Sequence, residues 1–124
     1  SLILERGMED ALTRAFAYVE AGADGIMIHS RKKTADEIIE FCDKFRAKYS
    51  DIPIVVVPTS YNYITEAELA AHGVNIVIYA NQLTRCEFPA MENTAKEILK
   101  NHRALEVDSK LMPFKDIITL IDEL

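Results

Sequence analysis

Three short apolar runs, each breaking off into polar side chains, constrain this chain more than anything else in it. Asp24-Gly25-Ile26-Met27-Ile28 runs into His29-Ser30, and Pro53-Ile54-Val55-Val56-Val57 runs into Pro58-Thr59-Ser60-Tyr61. Asn75-Ile76-Val77-Ile78 runs into Tyr79-Ala80-Asn81-Gln82. None has a polar face, which is the pattern of strands covered on both sides of a parallel sheet. Helical periodicity fills the stretches between them, and right-handed crossovers are then the favoured connection. Parallel α/β folds build their sites where strands end, so the polar carboxyl ends are where chemistry is expected.

The first helix is expected over Met8 to Ala21, with Leu12, Ala15, Phe16 and Val19 at helical spacing and Gly22 as its stop. Ala23-Asp24-Gly25 precedes a strand, whereas a phosphate cradle follows one, so these residues read as a turn. Thr34 with Glu37 has the spacing of a capping box and starts a second helix near Asp36, with Ile38, Cys42, Phe45 and Tyr49 as its buried stripe. Thr65 with Glu68 makes a second box, closed by His72-Gly73. A longer helix is expected from about Gln82 to His102, with Pro89 restarting or kinking it and Met91, Ala95, Ile98 and Leu99 on its apolar face. Residues 101–112 read as polar and irregular. Pro113 then opens a last helix carrying Phe114, Ile117, Ile118, Ile121 and Leu124 on one side.

At 124 residues and 49% apolar the chain is one domain or part of one and can bury a core. A net charge of −6 without a basic, aromatic-interleaved stretch argues against nucleic-acid binding. No apolar run reaches the roughly 18 residues of a membrane span. The start shows neither an initiator methionine nor a secretory leader, and the chain is expected to begin partway through a longer protein. Cys42 and Cys86 read as ordinary cytosolic thiols, since a metal site or disulfide framework needs more ligands or cysteines. Three strands leave two open edges, and the apolar last helix has little to pack against, so further chain or a second subunit is expected to cover them.

The segments Tyr18-Val19-Glu20-Ala21-Gly22-Ala23-Asp24-Gly25-Ile26-Met27-Ile28-His29-Ser30, Val55-Val56-Val57-Pro58-Thr59-Ser60-Tyr61 and Val77-Ile78-Tyr79-Ala80-Asn81-Gln82, with the tail Met112-Pro113-Phe114-Lys115-Asp116-Ile117-Ile118, carry a resemblance to a known family. Over essentially its whole length the chain resembles the phosphoenolpyruvate mutase branch of the isocitrate lyase/phosphoenolpyruvate mutase superfamily. The resemblance implies an α/β fold, the carboxyl-terminal part (strands six to eight) of a (β/α)8 TIM-type barrel. It implies one partial barrel domain over 1–124, with βα units in 1–103 and a linker plus apolar helix in 104–124. The last helix is then exchanged between subunits of a homo-oligomer, a dimer of dimers, in the cytoplasm. The implied reaction interconverts phosphoenolpyruvate and phosphonopyruvate with Mg²⁺. The acidic metal ligands, the gating loop and a phosphonate-gripping arginine are expected upstream of Ser1, so no metal ligand is expected in this chain and the chain alone is expected to be inactive. Phosphonopyruvate hydrolase is the enzyme alternative; a catalytically inactive half-barrel interaction module is the alternative from another class.

Within this resemblance His29 is the expected catalytic residue. The carbon–carbon lyases of the superfamily typically carry glutamate there, and a histidine can donate a hydrogen bond to a developing anion where a carboxylate cannot. Ser30, Thr59 and Asn81 are expected to line the substrate pocket. Each has a plainer alternative: a turn serine, loop packing for Thr59 and Tyr61, and a helix cap for Asn81. Arg31-Lys32-Lys33 could concentrate anions but reads more simply as a solvated surface. His72 and His102 sit at helix ends and receive no catalytic role.

Overall fold

The computed structural model describes residues 2–120 and orders them as α1 (Gly7–Glu20), β1 (Ile26–Ile28), α2 (Asp36–Arg46), β2 (Ile54–Val56), α3 (Glu66–Ala71), β3 (Ile76–Val77), α4 (Gln82–Asn101), a 3-10 helix (Leu105–Lys110) and α5 (Phe114–Ile117). The three strands form one sheet in the order β1-β2-β3, and both pairings are parallel. The chain divides into two compact units, Ser1–Ala80 and Asn81–Leu124. The division precedes α4, whereas the sequence places a boundary after residue 103.

In the first unit, register settles which face of the sheet is covered. Ile26 stands beside Ile54 and Ile28 beside Val56, and all four are buried. Met27, Val55 and Ile76 form the intervening row on the other face. Met27 is 59% exposed and Ile76 is 49% exposed. The runs therefore read as two-sided strands because their residues are apolar throughout, yet only one face is covered among the described residues. The covered face packs against helices: Ile38, Phe41, Cys42 and Phe45 of α2 are fully buried, joined by Ala11, Leu12 and Ala15 of α1. Burying each large side chain contributes about 1.5–3 kcal/mol. Phe45 sits at the centre of an aromatic cluster, with ring centroids 5.9 Å from Phe16, 5.8 Å from Phe41 and 5.5 Å from Tyr49. Offset and tilted rings at such distances add specificity beyond area.

Gly22 ends α1 as expected, at φ +97°. At the amino ends of β2 and β3 one arginine gathers the loops. Arg46 donates to the carbonyls of Tyr49 (3.1 Å), Ser50 (3.2 Å), Ile52 (2.7 Å) and Gly73 (2.6 Å from Nη2), and to Asn75 Oδ1 at 2.6 Å. Gly73 has φ +82°, and a Cβ there would come within 2.5 Å of Arg46 Nε, so the turn admits only glycine beside this guanidinium. Thr65 and Glu68 form the expected capping box, both reciprocal bonds being present.

Three local expectations are corrected. Thr34 and Glu37 form no capping box: α2 starts behind Ala35, without a side-chain cap, because the Glu37 carboxylate is engaged elsewhere. Residues 101–112 are not irregular throughout, since Leu105–Lys110 winds into a 3-10 helix. Pro113 stands just before α5 as its N-cap rather than in its first turn. In the second unit α4 runs uninterrupted through Pro89. Its expected apolar face, including Met91 and Leu99, is exposed, and Val107 is the only buried side chain among the unit's described residues. Ile121 and Leu124, expected on the last helix, lie outside the described residues.

Candidate active site at the carboxyl ends of the strands

Because β1 and β2 are parallel neighbours in register, the residues that follow them leave the sheet at the same edge. Ile28 pairs with Val56, so His29 emerges one residue past β1 and Thr59 three residues past β2 at that edge. Strand alternation carries the uncovered face from Met27 to His29. His29 is half-buried, and its Nδ1 is buried without a hydrogen-bond partner. It also borders a groove of about 280 Å³ along the outer edge of β1, lined by Ile3, Arg14, Tyr18 and Met27 among others. An imidazole N–H at a strand end can donate a hydrogen bond to a small anionic ligand.

Ser30 occupies a different environment. It is 0% exposed; its hydroxyl donates to Glu37 and accepts the Lys32 amide at 3.0 Å. Lys32 Nζ reaches the other Glu37 oxygen at 2.7 Å. Burial pushes the Glu37 carboxyl up, but the hydrogen bonds from Lys32 and Ser30 and the Lys32 charge outweigh it and hold the group below its ordinary range. Of the basic run, Lys32 is thus tied down, while Arg31 and Lys33 are exposed. This Ser30–Glu37–Lys32 cluster escaped the sequence reading, because the same Thr34/Glu37 spacing also fits a cap.

Thr59 is half-buried at a tight turn where its amide donates to the Val57 carbonyl at 2.8 Å. Tyr61 packs into the core, fully buried, and burial pushes its hydroxyl up to about 12. Asn81 begins the second unit as the N-cap of α4; its side chain makes no cap bond, and its Oδ1 is buried without a partner. His72 pairs with Asp43 at 2.7 Å and His102 closes α4 in the left-handed conformation. Cys42 is buried, and burial pushes its thiol up to about 12, so it is no nucleophile.

Residues 1–99 match the family described as phosphoenolpyruvate phosphomutase. The chain belongs to that family. It is 43% identical over 121 residues to the phosphonopyruvate hydrolase of Variovorax sp. (strain Pal2), covering 97% of this chain and 41% of that protein. It is 39% identical over 122 residues to the phosphoenolpyruvate phosphomutase of Streptomyces viridochromogenes, covering 98% and 38%. A crystal structure of phosphonopyruvate hydrolase in complex with oxalate and Mg²⁺ superposes with a TM-score of 0.85 at 43% identity, covering 94% of this chain and 41% of that one. The chain therefore spans about two fifths of the length of the relatives it matches. Its parallel βα units are those of the carboxyl-terminal part of the family's (β/α)8 barrel.

Among the described residues no group of three or more His, Cys, Asp or Glu side chains could hold a metal ion. The described residues do not fit a Mg²⁺ centre. No described helix is long and apolar enough to cross a membrane.

Proposed function

We propose that this chain contributes to a phosphoenolpyruvate mutase, which moves a phosphoryl group between the enol oxygen of phosphoenolpyruvate and the adjacent methylene carbon, forming phosphonopyruvate. One oxygen–phosphorus bond breaks and one carbon–phosphorus bond forms, with no net proton change. The observation that carries this reading is His29 at the carboxyl edge of a parallel sheet in a chain of this family. A phosphoryl group in flight spreads charge over its oxygens, and positioning with electrostatic stabilisation supplies most of the rate. An imidazole N–H of His29 donates to the migrating phosphoryl group or to the enolate oxygen. Thr59 lines the pocket beside it. Ser30, committed to Glu37 and Lys32, shapes the pocket wall. Mg²⁺, in this reading, is held by residues outside this chain, and the isolated chain is inactive.

The 43% identity to a phosphonopyruvate hydrolase supports a second reading. Water would then take the phosphoryl group, and the enolate carbon would gain a proton to leave pyruvate and phosphate. Phosphorus NMR of phosphonopyruvate incubated with the complete enzyme and Mg²⁺ separates the two: a phosphoenolpyruvate signal supports the mutase, inorganic phosphate the hydrolase. In either case His29→Ala is expected to lower kcat/KM by about 10²–10³-fold, the loss typical of one preorganised donor. Unchanged turnover in His29→Ala would remove His29 from the chemistry.

The same reading makes the enzyme a cytoplasmic homo-oligomer, a dimer of dimers that exchanges its last helix. Exposed Phe114, Ile117 and Ile118 on and beside α5 support it. Light scattering of the complete enzyme is expected to report a tetramer that Phe114→Glu dissociates.

A further inference from the structure

We propose that Glu37 is a positioning residue for His29, acting through Ser30 and Lys32; this rests on the catalytic reading of His29 above. The His29 ring has no hydrogen bond to orient it through Nδ1, which is buried and unpartnered. Its direction must come from the backbone that carries it and from packing. That backbone leads at once into Ser30, whose hydroxyl has spent its donor on Glu37 and accepts the Lys32 amide at 3.0 Å. Glu37 accepts Lys32 Nζ at 2.7 Å with its second oxygen. One carboxylate on the first turn of α2 therefore ties down two points of the connection from β1, directly after His29 in the chain. The carboxylate is shielded, 14% exposed, while Lys32 is 67% exposed. Glu37 thus holds one buried partner, Ser30, and one exposed partner, Lys32.

Glu37 touches no reacting atom in this scheme. Loosening it lets the ring move, and displacement on the order of 1 Å can cost about a hundredfold in rate. Ser30 and Glu37 act as one unit, so their losses are not additive.

The test has two arms. In this chain, His29, His72 and His102 are the only histidines, so three imidazole Hε1 signals, one per ring, report the ring environments. Ser30→Ala and Glu37→Ala are each expected to shift or broaden the His29 signal. The His72 signal stays in place, because its partner Asp43 lies on α2 and reports that helix intact. In the complete enzyme each substitution is expected to lower kcat about tenfold or more with KM changed less than about twofold, and the double variant falls no further than either single one. Should Glu37→Ala fail to fold, Ser30→Ala still reads both arms, and Glu37→Gln, which keeps an acceptor for Ser30, is expected to restore most of kcat. A His29 signal unmoved in Ser30→Ala overturns the proposal, as do kinetic losses that multiply. A Ser30→Ala variant that raises KM alone also overturns it, since that marks a direct substrate contact. If His29→Ala leaves turnover intact, the catalytic reading fails, while the NMR arm still decides whether Glu37 positions the ring.

Discussion

Glu37 shows how one side chain can satisfy two sequence readings and obey only one. Its spacing from Thr34 fits a capping box, but its carboxylate turns to the strand-end loop, where Ser30 and Lys32 outbid the helix terminus. The consequence is a pH dependence whose direction follows from the shift. Burial raises the carboxyl, but the Lys32 and Ser30 hydrogen bonds with the Lys32 charge lower it by more, leaving it below its unfolded value of about 4.3. A group depressed on folding stabilises the fold fully above its unfolded value and loses that contribution as pH falls through the folded one. Urea titrations at neutral pH are expected to show Glu37→Gln about 1–2 kcal/mol less stable than the parent. The gap narrows in acid, as pH falls below the unfolded value and through the lower folded one and the parent carboxyl takes up its proton; a gap independent of pH down to acid unfolding would mean that the ionised form is not what matters. His29 and Thr59 were legible as strand-end residues because an apolar run stops at each. Arg46 was not: nothing in a lone arginine near a helix end reveals that four carbonyls will converge on it.

Helices and strands were largely legible from periodicity, and the misses have identifiable causes. Gly22 at φ +97° ends α1 where the sequence puts it, and the Thr65–Glu68 box caps α3. The 3-10 helix Leu105–Lys110 went unread because six residues are too few for a face to repeat. The Thr34–Glu37 and Thr65–Glu68 stretches make a controlled comparison, being alike in spacing and different in bonding. Thr65→Ala removes a bond to the Glu68 amide at 3.2 Å and is expected to cost about 1 kcal/mol, read from thermal or urea unfolding. Thr34→Ala, at an exposed position that makes no cap bond, is expected to change stability by less than about 0.5 kcal/mol. Equal costs at the two positions would place a cap at Thr34 after all.

The parallel order of the whole chain followed from alternating helix and strand patterns, and the sheet bears it out. What periodicity could not tell is which strand face this chain itself covers, since a run that is apolar on every residue carries no sidedness. Register does tell: Ile26, Ile28, Ile54 and Val56 turn inward, while Met27 and Ile76 turn to the uncovered face. A chain spanning two fifths of its relatives' length, with residues this apolar left open, calls for something to lie across them. The two faces should therefore answer differently to the same chemistry. Met27→Thr with Ile76→Thr is expected to alter the unfolding free energy of this chain by less than about 0.5 kcal/mol per site. The pair should also lower its self-association in sedimentation and its binding of a hydrophobic dye, because apolar surface is removed without opening a cavity. Ile28→Thr with Val56→Thr, on the inward face, is expected to cost about 1–3 kcal/mol per site, since each hydroxyl is buried without a partner. If the outward pair proves as damaging as the inward one, the row of Met27, Val55 and Ile76 is already covered in solution, and this chain closes its own sheet without help from further strands.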